Sequence, residues 1–149
     1  PDMGEGHVIP QITRRMLDER SKHKNNKFEF EIQGSGKETR AFCYIDDAVD
    51  GIYKCAVYGN DKEIYHIGTI EEISINYLVK LISKELGCDI SIKCNPLRTG
   101  STIRRCPDIT KMKNLGYEPK VSINDGVIKT VNWYINNPSD TLNIENGYI

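Results

Sequence analysis

The residues best suited to chemistry in this chain are arginines next to glycine turns. Arg40 ends the segment Gly34-Ser35-Gly36-Lys37-Glu38-Thr39-Arg40 and precedes the apolar run 41–45. A guanidinium is always charged and offers a planar fork of donors, which suits a carboxylate or a pair of phosphate oxygens. Because Gly34 and Gly36 permit positive φ and a close approach by other groups, the segment predicts an anion site at Arg40. The alternative is a surface arginine after a hairpin turn.

A second group of arginines lies later in the chain. Residues 95–107 contain Pro, Gly, Ser and Thr but little apolar content, and they carry Arg98, Arg104 and Arg105. This composition predicts a basic loop. Together with Arg40, the loop could clamp a diphosphate from two sides.

Other chemistry is weakly signalled. Asp46 and Asp47 stand where a helix begins, so we interpret them as capping residues, with general acid or base work as the alternative. The three histidines are far apart in sequence, which favours structural roles over a metal site or a catalytic base. The chain has no G-x-G-x-x-G, P-loop or H-E-x-x-H motif and no Cys-His metal spacing, so we predict no metal.

The elements that must position these arginines follow from periodicity. A helix is predicted from His7 to about Lys22, and residues 28–33 alternate as a half-buried strand does. Strands are expected at 40–45 and 64–67, parallel to each other and joined by the helix after Asp47 in a right-handed crossover. Strand, helix and strand in succession indicate an α/β fold.

The second half of the chain carries clear helix boundaries. Ser74 is expected to cap a helix that stops at Gly87, and residues 90–94 alternate as a strand. Asp108 and Ser122 are expected to cap two further helices, the second of which ends at Pro138. The residues after Pro138 are mostly polar and predict a loosely held tail.

Composition narrows the class of protein. The 149 residues suffice for one domain, and 20 basic against 21 acidic residues give a formal charge of −1, so neither nucleic acid nor a membrane surface is an expected partner. The five cysteines are odd in number and lack CxxC spacing, which is typical of reduced thiols in a cytosolic protein. No apolar run reaches the roughly 18 residues of a membrane span, so we expect a cytoplasmic location.

Several motifs in order carry a family resemblance. The segment 34–47 is followed by Tyr65-His66-Ile67-Gly68, by Arg104-Arg105-Cys106-Pro107-Asp108 and by Leu115-Gly116-Tyr117-Glu118-Pro119. This series resembles the C-terminal half of the extended short-chain dehydrogenases/reductases, the NAD-dependent family of nucleotide-sugar epimerases, 4,6-dehydratases and decarboxylases. The resemblance implies a substrate-binding lobe plus the last strands of a Rossmann-like sheet. It assigns residues 1–136 to the nucleotide-sugar-binding portion and 137–149 to a tail.

The resemblance also assigns roles to single residues. It places Arg40 on the diphosphate, with Arg98 and Arg105 closing over the same phosphates and Arg104 as a weaker candidate. It places His7 and Val8 beside the diphosphate and ribose, and Glu31 and Gln33 along the base. For Glu31 and Gln33, simple solvent-facing alternation is the open alternative. The sequence departs from the commoner family form at Ala41 and Ser101, where many members have acidic residues.

For the parent protein the resemblance implies an NAD-dependent enzyme that oxidises a sugar hydroxyl, changes the sugar and returns the hydride. The glycine-rich NAD loop and the catalytic Tyr-x-x-x-Lys pair of the family are expected in an N-terminal half outside this chain. We therefore expect this chain alone to be inactive, with exposed apolar area and a tendency to self-associate. The expected ligand is a UDP-, GDP- or dTDP-linked sugar. The alternative is a non-catalytic relative that binds a nucleotide or a protein.

Overall fold

The computed structural model describes residues 7–97 and 99–137. Arg98 and the tail after Asn137 therefore lie outside the described residues. Five helices and five strands follow one another in this order: α1 (Val8–Lys22), β1 (Lys27–Gln33), β2 (Thr39–Ala41), α2 (Ile45–Tyr58), β3 (Glu72–Ser74), α3 (Ile75–Glu85), β4 (Asp89–Asn95), β5 (Arg104–Arg105), α4 (Thr110–Asn114) and α5 (Ile123–Asn136).

The strands form two small sheets. Together with the helices they make the α/β fold that the sequence indicates. In one sheet β1 and β4 are parallel, in register from Lys27 opposite Asp89 to Gln33 opposite Asn95. In the other sheet the order is β3-β2-β5, with β2 antiparallel to β3 and parallel to β5. Arg40 lies in the central strand of this second sheet.

The main core forms where three helices cover one face of β1. The alternating residues Phe28, Phe30 and Ile32 of β1 are buried, as the period of two predicts. They belong to one cluster with apolar residues of α1, α3 and α5. A second, smaller cluster surrounds Tyr117, whose hydroxyl donates to the carbonyl of Gly68 at 2.8 Å.

Local signals for helix ends are confirmed in α3 and α5. The hydroxyl of Ser74 accepts from the backbone N–H of Tyr77 at 3.1 Å, and that of Ser122 accepts from Asp125 at 3.2 Å. Gly87 has a φ of 65° just after α3, which is the usual conformation beyond a helix C-terminus. The expected cap at Asp108 is wrong, because the N-cap of α4 is Ile109 and makes no side-chain cap hydrogen bond. Asp108 lies next to it and accepts from the N–H of Thr110 at 2.8 Å.

The glycine turn before Arg40 has the predicted backbone. Gly34 and Gly36 have φ values of 81° and 76°. A Cβ on Gly34 would stand 2.6 Å from Glu38 Oε1, and one on Gly36 would stand 2.0 Å from Asn76 Oδ1. The close approach that glycine permits is therefore made by side chains of this chain itself.

The prediction of parallel strands at 40–45 and 64–67 is wrong. β2 ends at Ala41 and α2 begins at Ile45, while residues 64–67 form no strand. In the described part of the chain, the backbone groups of residues 64–67 make no hydrogen bond to other backbone groups. An extended segment needs a neighbouring strand to satisfy those groups, and β2 is already paired on both edges by β3 and β5.

Asp46 and Asp47 do not cap α2, so the capping interpretation is wrong. The residue before the first turn is Tyr44, and no side chain makes a cap hydrogen bond there. Asp47 is buried, and its two carboxylate oxygens accept from the backbone N–H groups of Lys120 and Val121 at 3.0 and 2.9 Å. Asp47 therefore ties the start of α2 to the segment that leads into α5.

One face of α2 is apolar and exposed, as expected. Its members recur at helical spacing and are 52–62 % exposed: Ile45, Val49, Ile52, Tyr53 and Val57. A contiguous apolar face of this kind marks a surface that another element or molecule covers. Among the described residues, no helix is long and apolar enough to cross a membrane.

Self-association through this face stays a prediction. We expect the chain to form dimers or larger species at micromolar to millimolar concentration in sedimentation velocity. Ile52→Glu places a charge at the middle of the face, so it should shift the distribution toward monomer. Ile135→Glu, at an exposed apolar residue of α5, is the control and should leave the distribution unchanged. A chain that sediments as a monomer at all these concentrations would refute the prediction.

Candidate functional site

The structure places Arg40 and Arg105 side by side. Arg40 of β2 is directly opposite Arg105 of β5 in the parallel register. Because side chains of opposed residues leave a sheet on the same face, the two guanidinium groups share one face. The predicted pairing of Arg40 with the arginine loop therefore has a geometric basis. The pair is formed across two adjacent strands.

Arg40 is held in place by backbone carbonyls. Its Nη2 donates to Thr102 O at 2.5 Å, and its Nη1 donates to Thr39 O at 2.7 Å and to Ile103 O at 3.2 Å. These bonds connect β2 to the residues just before β5. Arg40 is half-buried, and these bonds hold its side chain in place. It therefore differs from a free surface arginine after a turn.

Arg105 is exposed and much less constrained. Its side chain makes a 3.5 Å hydrogen bond from Nη2 to the hydroxyl of Thr102, which is long for such a bond. The residue borders an open cavity of about 470 Å³. The other lining residues are Ala41, Tyr65, His66, Ile67, Cys106 and Pro107.

The charges around the pair favour an anion. Within residues 7–97 and 99–137, no carboxylate forms an ion pair with Arg40 or Arg105. Burial, and secondly the positive charge of Arg105, lower the pKa of Arg40 from its ordinary value, although a guanidinium remains charged. The carboxylate of Glu38 acts in the other direction on the pKa of Arg40, but neither guanidinium is ion-paired among the described residues, and two such adjacent cations favour an anion.

Glu38 is a buried carboxylate in the glycine turn that precedes Arg40. It is 7 % exposed and accepts from the backbone N–H and the hydroxyl of Ser35 at 3.0 and 3.1 Å. Burial opposes its ionisation, but these hydrogen bonds lower the pKa of Glu38 from its ordinary value. Glu38 therefore stabilises the glycine turn as a charged group.

Arg104 has a different partner from Arg105. Its Nε and Nη2 donate to the carboxylate of Glu72 at 3.1 and 2.7 Å. The expectation that residues 95–107 are loop throughout is wrong here, because Arg104 and Arg105 form β5. A two-residue strand leaves no periodic signal in the sequence, and only its pairing with β2 defines it.

His7 directly precedes α1, and Val8 is the first residue of that helix. Neither residue lines the cavity beside Arg105. His7 lines a second cavity of about 570 Å³ with residues of α1, α2 and α5 and with Phe42 and Tyr44. The two cavities share no lining residue. A ligand role for His7 and Val8 stays a prediction.

Glu31 and Gln33 lie on β1, in the other sheet. Glu31 accepts from Lys93 Nζ at 2.8 Å and from Asn95 Nδ2 at 3.1 Å, and both partners belong to β4. The hydrogen bond from Lys93, the largest cause, lowers the pKa of Glu31 from its ordinary value. Solvent-facing alternation therefore accounts for Glu31, and contact with a base stays a prediction for both residues.

Two features of this region were missed in the sequence. Glu72 contacts both Thr39 and Arg104, although those residues lie more than 30 positions away on either side. Thr102 contacts both arginines of the pair. Neither residue belongs to a motif, so no local signal could have found them.

One spacing match to Tyr-x-x-x-Lys exists, at Tyr58 and Lys62, although none was expected in this chain. α2 ends at Tyr58, and Lys62 has a φ of 60° in the turn beyond it. Two residues four apart share a face only within a helix. This pair therefore lacks the helical arrangement that a catalytic tyrosine and lysine would need.

Comparison with known proteins identifies relatives of this chain. Residues 1–68 match the model of the NAD dependent epimerase/dehydratase family. A putative UDP-glucose 4-epimerase of Methanocaldococcus jannaschii is 32 % identical over 90 % of this chain and 41 % of its own length. GDP-L-fucose synthase 1 of Arabidopsis thaliana is 29 % identical over 88 % of this chain and 40 % of its own length.

Solved structures resemble the fold closely. UDP-glucose 4-epimerase of Thermotoga maritima with UDP-glucose superimposes with a TM-score of 0.78 at 33 % identity, covering 91 % of this chain and 41 % of that one. A dTDP-glucose 4,6-dehydratase of Streptomyces venezuelae with NAD gives 0.77 at 31 % identity, covering 89 % and 39 %. The chain thus spans about two fifths of the length of these relatives. The mixed α/β fold and these matches show that the chain belongs to the NAD-dependent epimerase/dehydratase family of extended short-chain dehydrogenases/reductases.

Proposed function

We propose that this chain binds the diphosphate of a nucleotide sugar. It would serve as the substrate-binding part of an NAD-dependent nucleotide-sugar epimerase, 4,6-dehydratase or decarboxylase. The observation that carries the proposal is the register of Arg40 opposite Arg105, with no ion-paired carboxylate for either among the described residues. The two relatives with solved structures, a UDP-glucose epimerase and a dTDP-glucose dehydratase, support the same class of ligand.

The chemistry of the pair suits a diphosphate better than a single carboxylate. A guanidinium pairs two donors with two oxygens, and two guanidinium groups side by side match the two phosphates of a nucleoside diphosphate. The chain as a whole carries a charge of only −1, so attraction for the anion has to be local. The nucleotide end of the substrate would therefore supply binding energy that positions the sugar.

Hydride chemistry would need NAD, which would supply the hydride acceptor and donor. The described residues do not fit the family's cofactor site, because the chain has no G-x-G-x-x-G motif and Tyr58 and Lys62 do not share a helical face. We propose that the NAD-binding part lies outside residues 1–136. It would pack on the exposed apolar face of α2.

A calorimetric titration of the folded chain with UDP, GDP and dTDP tests the proposal. We expect weak binding of at least one of the three, because ordering the segment around Arg105 costs conformational entropy. The ranking of the three would also identify the base. Inorganic sulfate at the same concentration is the control for simple charge attraction and should bind more weakly. If none of the three binds at millimolar concentration, this chain does not hold the diphosphate by itself.

A second candidate function is a non-catalytic module that binds a nucleotide or a protein. The exposed apolar face of α2 favours it, since such a face also suits a protein partner. A glycine-rich loop and a helical Tyr-x-x-x-Lys pair in the same polypeptide would favour the enzyme. A polypeptide without either would favour the module.

A further inference from the structure

A single carboxylate connects all three strands of the second sheet. Glu72 belongs to β3, and its Oε1 accepts from the hydroxyl of Thr39 in β2. The same oxygen accepts from Nε of Arg104 in β5 at 3.1 Å, and Oε2 accepts from Nη2 at 2.7 Å. Glu72 therefore bonds across the central strand to the edge strand that carries Arg105.

These contacts lie on the face opposite the arginine pair. Thr39 is opposite Arg104, and Ala41 is opposite Glu72, so these residues share one face of the sheet. Arg40 and Arg105 follow Thr39 and Arg104 by one residue, and successive side chains of a strand point to opposite faces. The carboxylate contacts thus form the back of the sheet, and the guanidinium pair forms the front.

β5 needs such an anchor because it is very short. It has two residues, and among the described strands it pairs with β2 alone. Just before it, the backbone N–H of Thr39 donates to Ile103 O at 2.9 Å. A strand of this length has few backbone bonds to keep its register. Because the carboxylate of Glu72 binds Arg104, it limits where the next residue, Arg105, can lie.

We propose that Glu72 is a positioning residue for the diphosphate site: by binding Thr39 and Arg104 on one face of the sheet, it holds Arg105 beside Arg40 on the other. The proposal rests on the proposed function. We call the contacts of Glu72 with Thr39 and Arg104 the anchor. In this proposal Arg104 belongs to the anchor, and Arg40 and Arg105 bind the phosphates.

The ionisation of Glu72 agrees with this role. Its side chain is 22 % exposed, against 65 % for Arg104. The hydrogen bond from Thr39, the largest cause, and those from Arg104 lower the pKa of Glu72 from its ordinary value, although burial acts in the other direction. An isolated surface ion pair contributes little to stability. We therefore expect Glu72 to affect the position of β5 more than the stability of the chain.

Binding of the nucleoside diphosphate tests the proposal through Glu72→Ala and Glu72→Gln. With the tightest of UDP, GDP and dTDP as the probe, Glu72→Ala should raise Kd by roughly three- to tenfold, the range for a contact that acts through a neighbour. Glu72→Gln keeps one acceptor oxygen for Thr39 or Arg104, so it should lose less. Asp89→Ala removes a cross-strand ion pair with Lys27 in the other sheet and is the matched control.

A double substitution separates positioning from general destabilisation. In an Arg105→Ala background, Glu72→Ala should raise Kd no further, because the residue that it positions is already gone. If Glu72→Ala raises Kd by the same factor in both backgrounds, the effect does not pass through Arg105 and the proposal is overturned. Equal Kd values for Glu72→Ala and the unaltered chain overturn it as well.

Amide hydrogen exchange gives a readout that needs no ligand. The amide of Thr39 bonds to Ile103 O, so its exchange should quicken in Glu72→Ala and stay unchanged in Asp89→Ala. If the unaltered chain binds none of the diphosphates, the proposed function fails. The exchange rate of the Thr39 amide then tests the anchor without a ligand. Unchanged exchange at Thr39 in Glu72→Ala overturns the anchor, whether or not a diphosphate binds.

Discussion

Arg40→Ala is expected to weaken binding of the preferred nucleoside diphosphate by roughly 1.5–3 kcal/mol, the usual contribution of a hydrogen bond to a charged group. The loss has two sources. The substitution removes one guanidinium fork from the phosphates, and it also frees the carbonyls of Thr102 and Ile103 that Arg40 holds. Calorimetric titration of the altered and unaltered chains measures the change.

Arg40→Lys should restore only part of that affinity. Lysine keeps the charge but lacks the planar fork that reaches several oxygens at once. Arg20→Ala, in the last turn of α1, removes the same charge away from the second sheet and should change Kd little. If Arg40→Ala binds the diphosphate as tightly as the unaltered chain, the anion site is wrong, and Arg40 serves only to hold the residues before β5.

The second large effect is expected from Asp47→Ala, which should lower the free energy of unfolding by about 1.5–3 kcal/mol. The substitution removes the acceptor of the N–H groups of Lys120 and Val121. Those groups connect α2 to the segment before α5, and the substitution leaves both backbone donors without their acceptor. Chemical denaturation followed by far-ultraviolet circular dichroism measures the change.

Asp46→Ala is the matched control because Asp46 is the exposed neighbour of Asp47 in the first turn of α2. It should cost only a few tenths of a kcal/mol, about the effect of one acidic residue on a helix dipole. Asp47→Asn keeps one acceptor oxygen and should lie between the two. A stable Asp47→Ala variant would show that the two N–H groups find water instead, which would contradict this prediction.

The sequence by itself determined the elements whose signals are local. The periodicity of α1 and α5, the alternation of β1 and β4, and the hydroxyl caps at Ser74 and Ser122 all depend on residues a few positions apart. The positive φ of Gly34 and Gly36 belongs to the same class, because it reflects the intrinsic freedom of one residue. Arg40 could be singled out for the same reason.

Only the tertiary structure decided how distant segments meet. β5 exists because β2 offers it an edge, and Arg105 is placed beside Arg40 by that pairing across 65 residues. Asp47 reaches Lys120, and Glu72 reaches Thr39 and Arg104, through contacts that no short-range pattern records. Residues 64–67 have the composition of a strand, yet they form none, because a strand also requires a neighbour and no described strand lies beside them. Propensity and spacing are properties of a local segment, whereas strand pairing and side-chain contacts depend on which segments the fold brings together.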